Sequence, residues 1–156
     1  MRRELFDYVE QIRDAQKSIE VSLKDIQREL RGKSKCDVYF DVDVIDSNGL
    51  PVTASVRLNI AGGLDRPLTS WTLAMKLHNI RIDGIDHEFR FKMLSGAVGH
   101  GWHRHYWDKS EGTADHHKLP IDALDHIASG EEFLSHGLNV LKIRADTVDH
   151  ERLLWD

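Results

Sequence analysis

Hydrophobic positions recur with two different periods along this chain, and the change comes near residue 36. Leu5, Ile12, Ile19 and Ile26 recur every seven positions, and Val9, Gln16, Leu23 and Leu30 lie four after each. Together they make an a/d heptad seam, polar only at Gln16, in a stretch without Gly or Pro. Gly32 follows as a C-terminal stop, so the pattern predicts a helical arm over residues 1–32. Two readings of the seam stay open: packing on its own domain, or a coiled coil, most simply a homodimer. In the second, Leu5, Val9, Ile12, Gln16, Ile19, Leu23, Ile26 and Leu30 are the interface. Regular heptads over this length exceed what a small domain needs, and a polar a-position sets register. Val21 falls outside the seam, which favours some packing on the domain.

From Cys36 the period is two. Val38, Phe40, Val42 and Val44 alternate with polar residues and Tyr39, Asn48-Gly49 supplies turn chemistry, and Val52, Ala54, Val56, Leu58 and Ile60 line one face of the return strand. Trp71, Leu73, Met75 and Leu77 predict a third strand, facing inward. Parity slips near Asn79, the mark of a bulge or tight turn, so that Ile80 and Ile82 point inward while Arg81 and Asp83 face out. Gly84 reads as a break before a strand with Phe89, Phe91 and Met93 inward. "SGAVGHG" reads as a loop and "WHRHYW" as an aromatic strand. Later signals are helical: "IDALDHIA" after Pro120, a capping box from Ser129 to Glu132 with Gly137 as a stop, and a last short helix capped by Thr147. "LNVLKIRA" has the composition of a final strand. The expected fold is α+β: a long N-terminal heptad helix, then a globular domain over 36–156. That domain would hold an antiparallel sheet of about five to six strands and short C-terminal helices.

Length and composition narrow the setting. At 156 residues, 40% hydrophobic and 30% charged, the chain has the make-up of one soluble globular domain. A net charge of −5 argues against gripping nucleic acid by bulk electrostatics, though not against a local basic patch. Cys36 stands alone, which excludes an intrachain disulfide and fits a reducing cytosol. No apolar run has membrane length and the charged start is unlike a signal peptide, so a cytoplasmic protein with no membrane partner is expected.

The compositional oddity is ten histidines, three of them in "GHGWHRHYWD" at 99–108. In a strand, His103, His105 and Trp107 share one face, and Trp102, Arg104 and Tyr106 the other. The tryptophan–tyrosine side is expected in the core and the histidine side wet. Imidazoles two residues apart stand about 7 Å apart at the backbone and can converge on one metal or one phosphate. Arg81 and Asp83 are expected on the same wet face, with His87 nearby, and the loop "DHHK" adds His116 and Lys118.

Four readings follow. His103, His105 and His116 can ligate a divalent transition metal such as zinc, nickel or iron. Without a cofactor, His103 and His105 can serve as base and acid in phosphodiester cleavage. Arg81 would then hold the phosphate, Asp83 orient an imidazole, and His87 and Lys118 face the substrate. The set can also simply bind an anion, or be a solvated strand face without chemistry. Zinc-finger spacing, HExxH, a serine nucleophile elbow and a phosphate loop are absent. The cupin pattern fails because Lys109 and Ser110 stand where a glutamate belongs. His126, His136 and His150 read as surface residues of the helical tail.

The segments "RIDGIDHEFRF", "GHGWHRHYWDKSEG" and "GEEFL" resemble TumE-type toxins of toxin–antitoxin modules. The matching positions are Arg81 and Asp83 of an R-x-D and His103 and His105 of an H-x-H, over roughly residues 71–135. The aromatic strand also resembles uncharacterised phage and mobile-element proteins with GWHxHxW. The loop between the two motifs is longer here, and the heptad helix is no part of that pattern. The resemblance implies a growth-inhibiting or mobile-element protein acting on RNA through these residues, with an antitoxin or host protein as partner. The alternative is a non-enzymatic interaction module that dimerises or docks through the N-terminal helix.

Overall fold

The expected thirty-residue helix stops at Asp14 in the computed structural model, which describes residues 2–30, 36–45, 48–51, 55–62, 71–108 and 110–145. Helix α1 (Arg2–Asp14) is followed by a short strand β1 (Lys17–Ile19) and then by α2 (Leu23–Leu30). The stop is made by Lys17. Its Nζ donates to the carbonyls of Ile12 (2.7 Å), Arg13 (3.0 Å) and Ala15 (2.7 Å), satisfying acceptors that a continuing helix would have used. Ser22 restarts the helix by accepting a hydrogen bond from Asp25 N at 3.2 Å. The long heptad helix is therefore corrected to a helix–strand–helix unit. Of the proposed interface, Val9, Ile12, Ile19, Ile26 and Leu30 lie in the same core as the sheet, Leu23 is half-buried and Gln16 exposed. The Leu5 side chain lies outside the described residues. A seven-residue recurrence needs only that each apolar residue face inward; here two helices and a strand satisfy it in turn.

The remaining strands are β2 (Cys36–Val44), β3 (Val56–Gly62), β4 (Thr72–Leu77), β5 (Ile80–Lys92), β6 (Val98–Asp108), β7 (Thr113–Pro120) and β8 (Ile143–Ala145). They form one eight-stranded sheet in the order β7-β6-β5-β4-β3-β2-β1-β8, where five or six strands were expected. All neighbours are antiparallel except β1 and β8, so the sheet is mixed. The expected β2–β3 hairpin is present, pairing Val38 with Ile60 and Val42 with Val56. The slip near Asn79 is both turn and bulge: His78 and Asn79 adopt positive φ (51° and 65°), and the β4–β5 register shifts just beyond.

Several local expectations give way to pairing and packing. Gly84 does not break β5, which runs on to Lys92, and "DHHK" is part of strand β7 rather than a loop. Strand β6 already begins at Val98, inside the expected glycine loop. Phe89 is 84% exposed instead of inward, because a second register shift separates Glu88 from Phe91. "IDALDHIA" yields only a 3-10 turn, Asp122–Leu124. Helix α3 (Gly130–Val140) starts at the expected cap, with Ser129 Oγ accepting from Glu132 N at 3.2 Å, but it runs through Gly137. The expected last helix near Thr147, the Gly32 linker and the start of β3's hairpin arm at Val52 and Ala54 lie outside the described residues.

Helices α1 and α3 cover one sheet face. Phe133 of α3 stacks on Trp102 (4.5 Å between ring centroids) and meets Trp71 edge-on at 5.8 Å. Full burial of such a side chain contributes about 1.5–3 kcal/mol. Gly130 and Gly137 let α3 approach this closely: a Cβ on Gly137 would lie 2.6 Å from Leu73 Cδ1. Among the described residues, no helix is long and apolar enough to cross a membrane. Gly130→Ala tests the packing. Its Cβ would stand 2.3 Å from Trp71 Cζ2, in a ring only 1% exposed, with no room to retreat. Overpacking of this kind costs about 1–3 kcal/mol, so urea unfolding of this variant should show a lowered midpoint with an unchanged slope.

Candidate metal centre

Strand β5 makes the site by carrying one residue too many. Opposite β4, Met75 pairs with Asp83 and Lys76 with Arg81, so Ile82 is the extra residue of a bulge. Without it, Arg81 and Asp83 would share a face, as the two-residue period predicts. With it, they part. Asp83 joins the face of Ile85 and its cross-strand partner Arg104; Arg81 lies across Gly84, on the face of Gly84, Asp86 and their partners His105 and His103. Gly84 is required there, because a Cβ would meet Arg81 Nη2 at 2.5 Å and the Leu73 carbonyl at 2.6 Å.

On the second face, Asp86, His103 and His105 converge, their ligand atoms all within 4.8 Å of one another. His105 Nε2 stands 2.9 Å from Asp86 Oδ2, and its Nδ1 is 2.8 Å from the carbonyl of Ala114. His103 Nδ1 is 3.2 Å from the carbonyl of Gly101. A carbonyl only accepts, so Nδ1 is the donor in both rings and Nε2 faces the shared space. His103 Nε2 is buried with no hydrogen-bond partner, and the ring is covered by Phe91 at 4.3 Å between centroids. The expected wet face is thus buried at its centre: His103 is 0% and His105 2% exposed. Phe91, Glu88 and Lys118 close over the histidines. Phe91 can do so because its ring lies on Gly99, where a Cβ would meet it at 2.3 Å.

The electrostatics suit a cation. Burial pushes the His103 imidazole below its ordinary value, so the ring is neutral and its lone pair available. Burial opposes ionisation of Asp86, but the hydrogen bond from His105 and the charge of Arg81 outweigh it and hold the carboxyl well below the usual carboxylate range. Arg81 forks onto Asp86, 2.9 Å from Oδ1 and 3.3 Å from Oδ2. Lys118 Nζ donates to Glu88 Oε1 at 3.0 Å, and that oxygen lies 3.9 Å from His103 Nε2.

Asp83 serves a different end. It is 0% exposed and accepts two hydrogen bonds from Arg104 (2.9 and 2.8 Å), one from Gly84 N (2.8 Å) and an ion pair from Arg13 Nε of α1 (3.3 Å). Both guanidinium groups sit over the Tyr106 ring, at 4.5 and 5.3 Å. This network fastens α1 to the sheet.

Of the residues expected to form the site, His103, His105 and Arg81 come together, and Lys118 lies beside them. Asp83 points to the opposite face and orients no imidazole. His87 also lies on that face, edge-on to Trp102 at 4.9 Å. His116 is 67% exposed, near Glu111 at 4.0 Å, and takes no part in the cluster. The third member is Asp86, which the sequence reading passed over. Only the β5–β6 register, which sets Asp86 opposite His103, would have disclosed it. A hollow of about 860 Å³ near the end of α1, lined among others by Tyr8, Ile12, Lys17 and Val44, includes none of these residues. Comparison with known proteins finds no matching family model, no similar curated protein and no similar solved structure.

Replacing Asp83 by Asn keeps its shape and removes the charge that neutralises Arg13 and Arg104. Breaking a buried pair in this way costs about 3–5 kcal/mol. Asp83→Asn should therefore unfold at a much lower denaturant concentration than the parent; a shift worth less than about 1 kcal/mol would mean the network is dispensable.

Proposed function

We propose that the protein binds one divalent transition-metal ion through Asp86 Oδ2, His103 Nε2 and His105 Nε2. The observation that carries this reading is the unpartnered, buried Nε2 of His103, sharing its space with two further donor atoms. A buried polar atom without a partner costs about 1–3 kcal/mol, and a metal bond removes that cost. Both rings also have the outer contact typical of metal-ligating histidine, an Nδ1–H held by a backbone carbonyl. His105 Nε2 and Asp86 Oδ2 share a hydrogen bond at 2.9 Å; an ion that displaces the bridging proton needs them only slightly farther apart, at the about 3.0–3.4 Å of neighbouring donors with metal–ligand distances near 2.1 Å. Two imidazoles and one carboxylate suit zinc, iron(II) or nickel.

The protein should take up one equivalent of zinc, measured by calorimetry and by metal analysis after dialysis. His103→Ala and Asp86→Ala should each weaken binding by more than about 100-fold, exceeding the loss usual for outer-shell changes. His116→Ala should leave it unchanged. Imidazole ligands must be deprotonated, so affinity should fall steadily from about pH 7.5 to about pH 5.5. Folded protein that holds no stoichiometric metal, or that binds it equally well without His103, would overturn the reading.

A second reading keeps the same residues without metal. The unpartnered Nε2 of His103 in the same cluster as the Asp86–Arg81 pair favours it, because an imidazole with a free nitrogen near a guanidinium is a means of cleaving phosphodiesters by acid–base transfer, whereas both nitrogens of His105 are engaged, by Ala114 and Asp86. In it Asp86 replaces Asp83 as the orienting group, and RNA remains the substrate implied by the TumE-type resemblance. RNA cleavage that persists in chelator and is lost in His103→Ala would select this reading; chelator-sensitive cleavage would return the choice to the metal.

A further inference from the structure

Resting on the metal reading, we infer that the site also takes a small oxyanion, a phosphate or a carboxylate, bound between the metal and Arg81. Three features of the molecule lead there. First, the described residues supply three ligands, all from adjacent strands on one face of one sheet. A transition-metal ion held by three such groups keeps positions open for ligands from outside.

Second, charge is out of balance. Two positive charges on the metal and one on Arg81 stand against one negative charge on Asp86, leaving an excess of two. Glu88 does not offset it, because Lys118 lies 3.0 Å from its carboxylate. Uncompensated charge in a partly buried place is costly, and an anionic ligand is the direct remedy.

Third, Arg81 is held rigidly and is incompletely satisfied. Gly84 provides the hollow in which the guanidinium lies, and its two Nη groups reach Asp86. Its Nε is buried and has no hydrogen-bond partner. Nη1 reaches only Oδ2, the oxygen nearest His105, so a metal on Oδ2 competes directly with that half of the fork. Nη1 is then free to donate to an oxygen of a phosphate or carboxylate, while Nη2 keeps Asp86 Oδ1 and the Leu73 carbonyl. Arg81 is accordingly a specificity-determining residue that selects an oxyanion over neutral ligands or water.

The test uses cobalt(II) as the metal, because its visible spectrum reports each change in its ligands. The full-length protein is loaded with one equivalent of cobalt(II), and inorganic phosphate or acetate is titrated in separate arms. At least one of the two should change the cobalt spectrum saturably. Arg81→Met, given enough cobalt(II) to saturate its site because it has lost the guanidinium that holds Asp86, should respond to the anion at least about tenfold more weakly. Arg81→Lys keeps the charge but loses the fork, and should fall between the two. Circular dichroism establishes that each variant is folded.

Outcomes separate cleanly. If the parent protein yields no protein-bound cobalt spectrum, the metal reading itself fails. If cobalt binds but neither anion changes its spectrum, the oxyanion inference fails alone. It also fails if Arg81→Met responds with the parent's affinity. Should Arg81→Met not fold, the parent's titrations and the Arg81→Lys comparison still decide the matter.

Discussion

A single inserted residue in β5 governs how this sheet is used. Ile82 has no partner on β4, and the bulge it makes sends the side chains before and after it to opposite faces. On one face Asp83 becomes the buried counter-ion of Arg13 and Arg104, so the first helix is tied to the middle of the sheet. On the other, Arg81 lies across Gly84 and reaches Asp86 beside the two histidines. Had Arg81 and Asp83 stayed together, they would have paired on one face and left the other helix-anchoring charges unmatched. The bulge thus divides two acid–base partnerships, one structural and one available for chemistry.

Burial gives the second partnership its character. Histidines on a solvated strand would titrate freely and bind cations weakly. Here Phe91 covers His103, the Ala114 and Gly101 carbonyls set the ring orientation, and Asp86 is kept ionised against the cost of burial by His105 and Arg81. These are the conditions of a preorganised site: imidazole rings oriented by backbone carbonyls and a fixed carboxylate. Two glycines, Gly84 and Gly99, leave the space that Arg81 and Phe91 fill, so backbone without side chains shapes the site as much as its ligands do.

The sheet's alternating strands were legible in the sequence wherever an apolar residue recurred at every second position, as in Val38–Val44 and Trp71–Leu77. So were the α3 cap at Ser129 and the special position of His103 and His105. The glycines misled. Gly84 and Gly137 read as breaks, because conformational freedom is the commonest reason for glycine; their role is close approach, which shows only when the neighbour is known. The heptad seam misled for a related reason. Inward-facing residues spaced by seven fit a continuous helix, and nothing local marks the point where Lys17 turns back to cap α1.

What the sequence by itself determined, then, is which residues are apolar, which strands alternate, and that two histidines lie on one side of a strand. Those properties depend on backbone period and composition alone. The tertiary structure decided which side of the sheet is covered, which carboxylate joins the histidines, and whether the first thirty residues stand apart or enter the core. Each of those depends on register between strands distant in sequence, and one extra residue in a ladder reverses the face of every side chain beyond it.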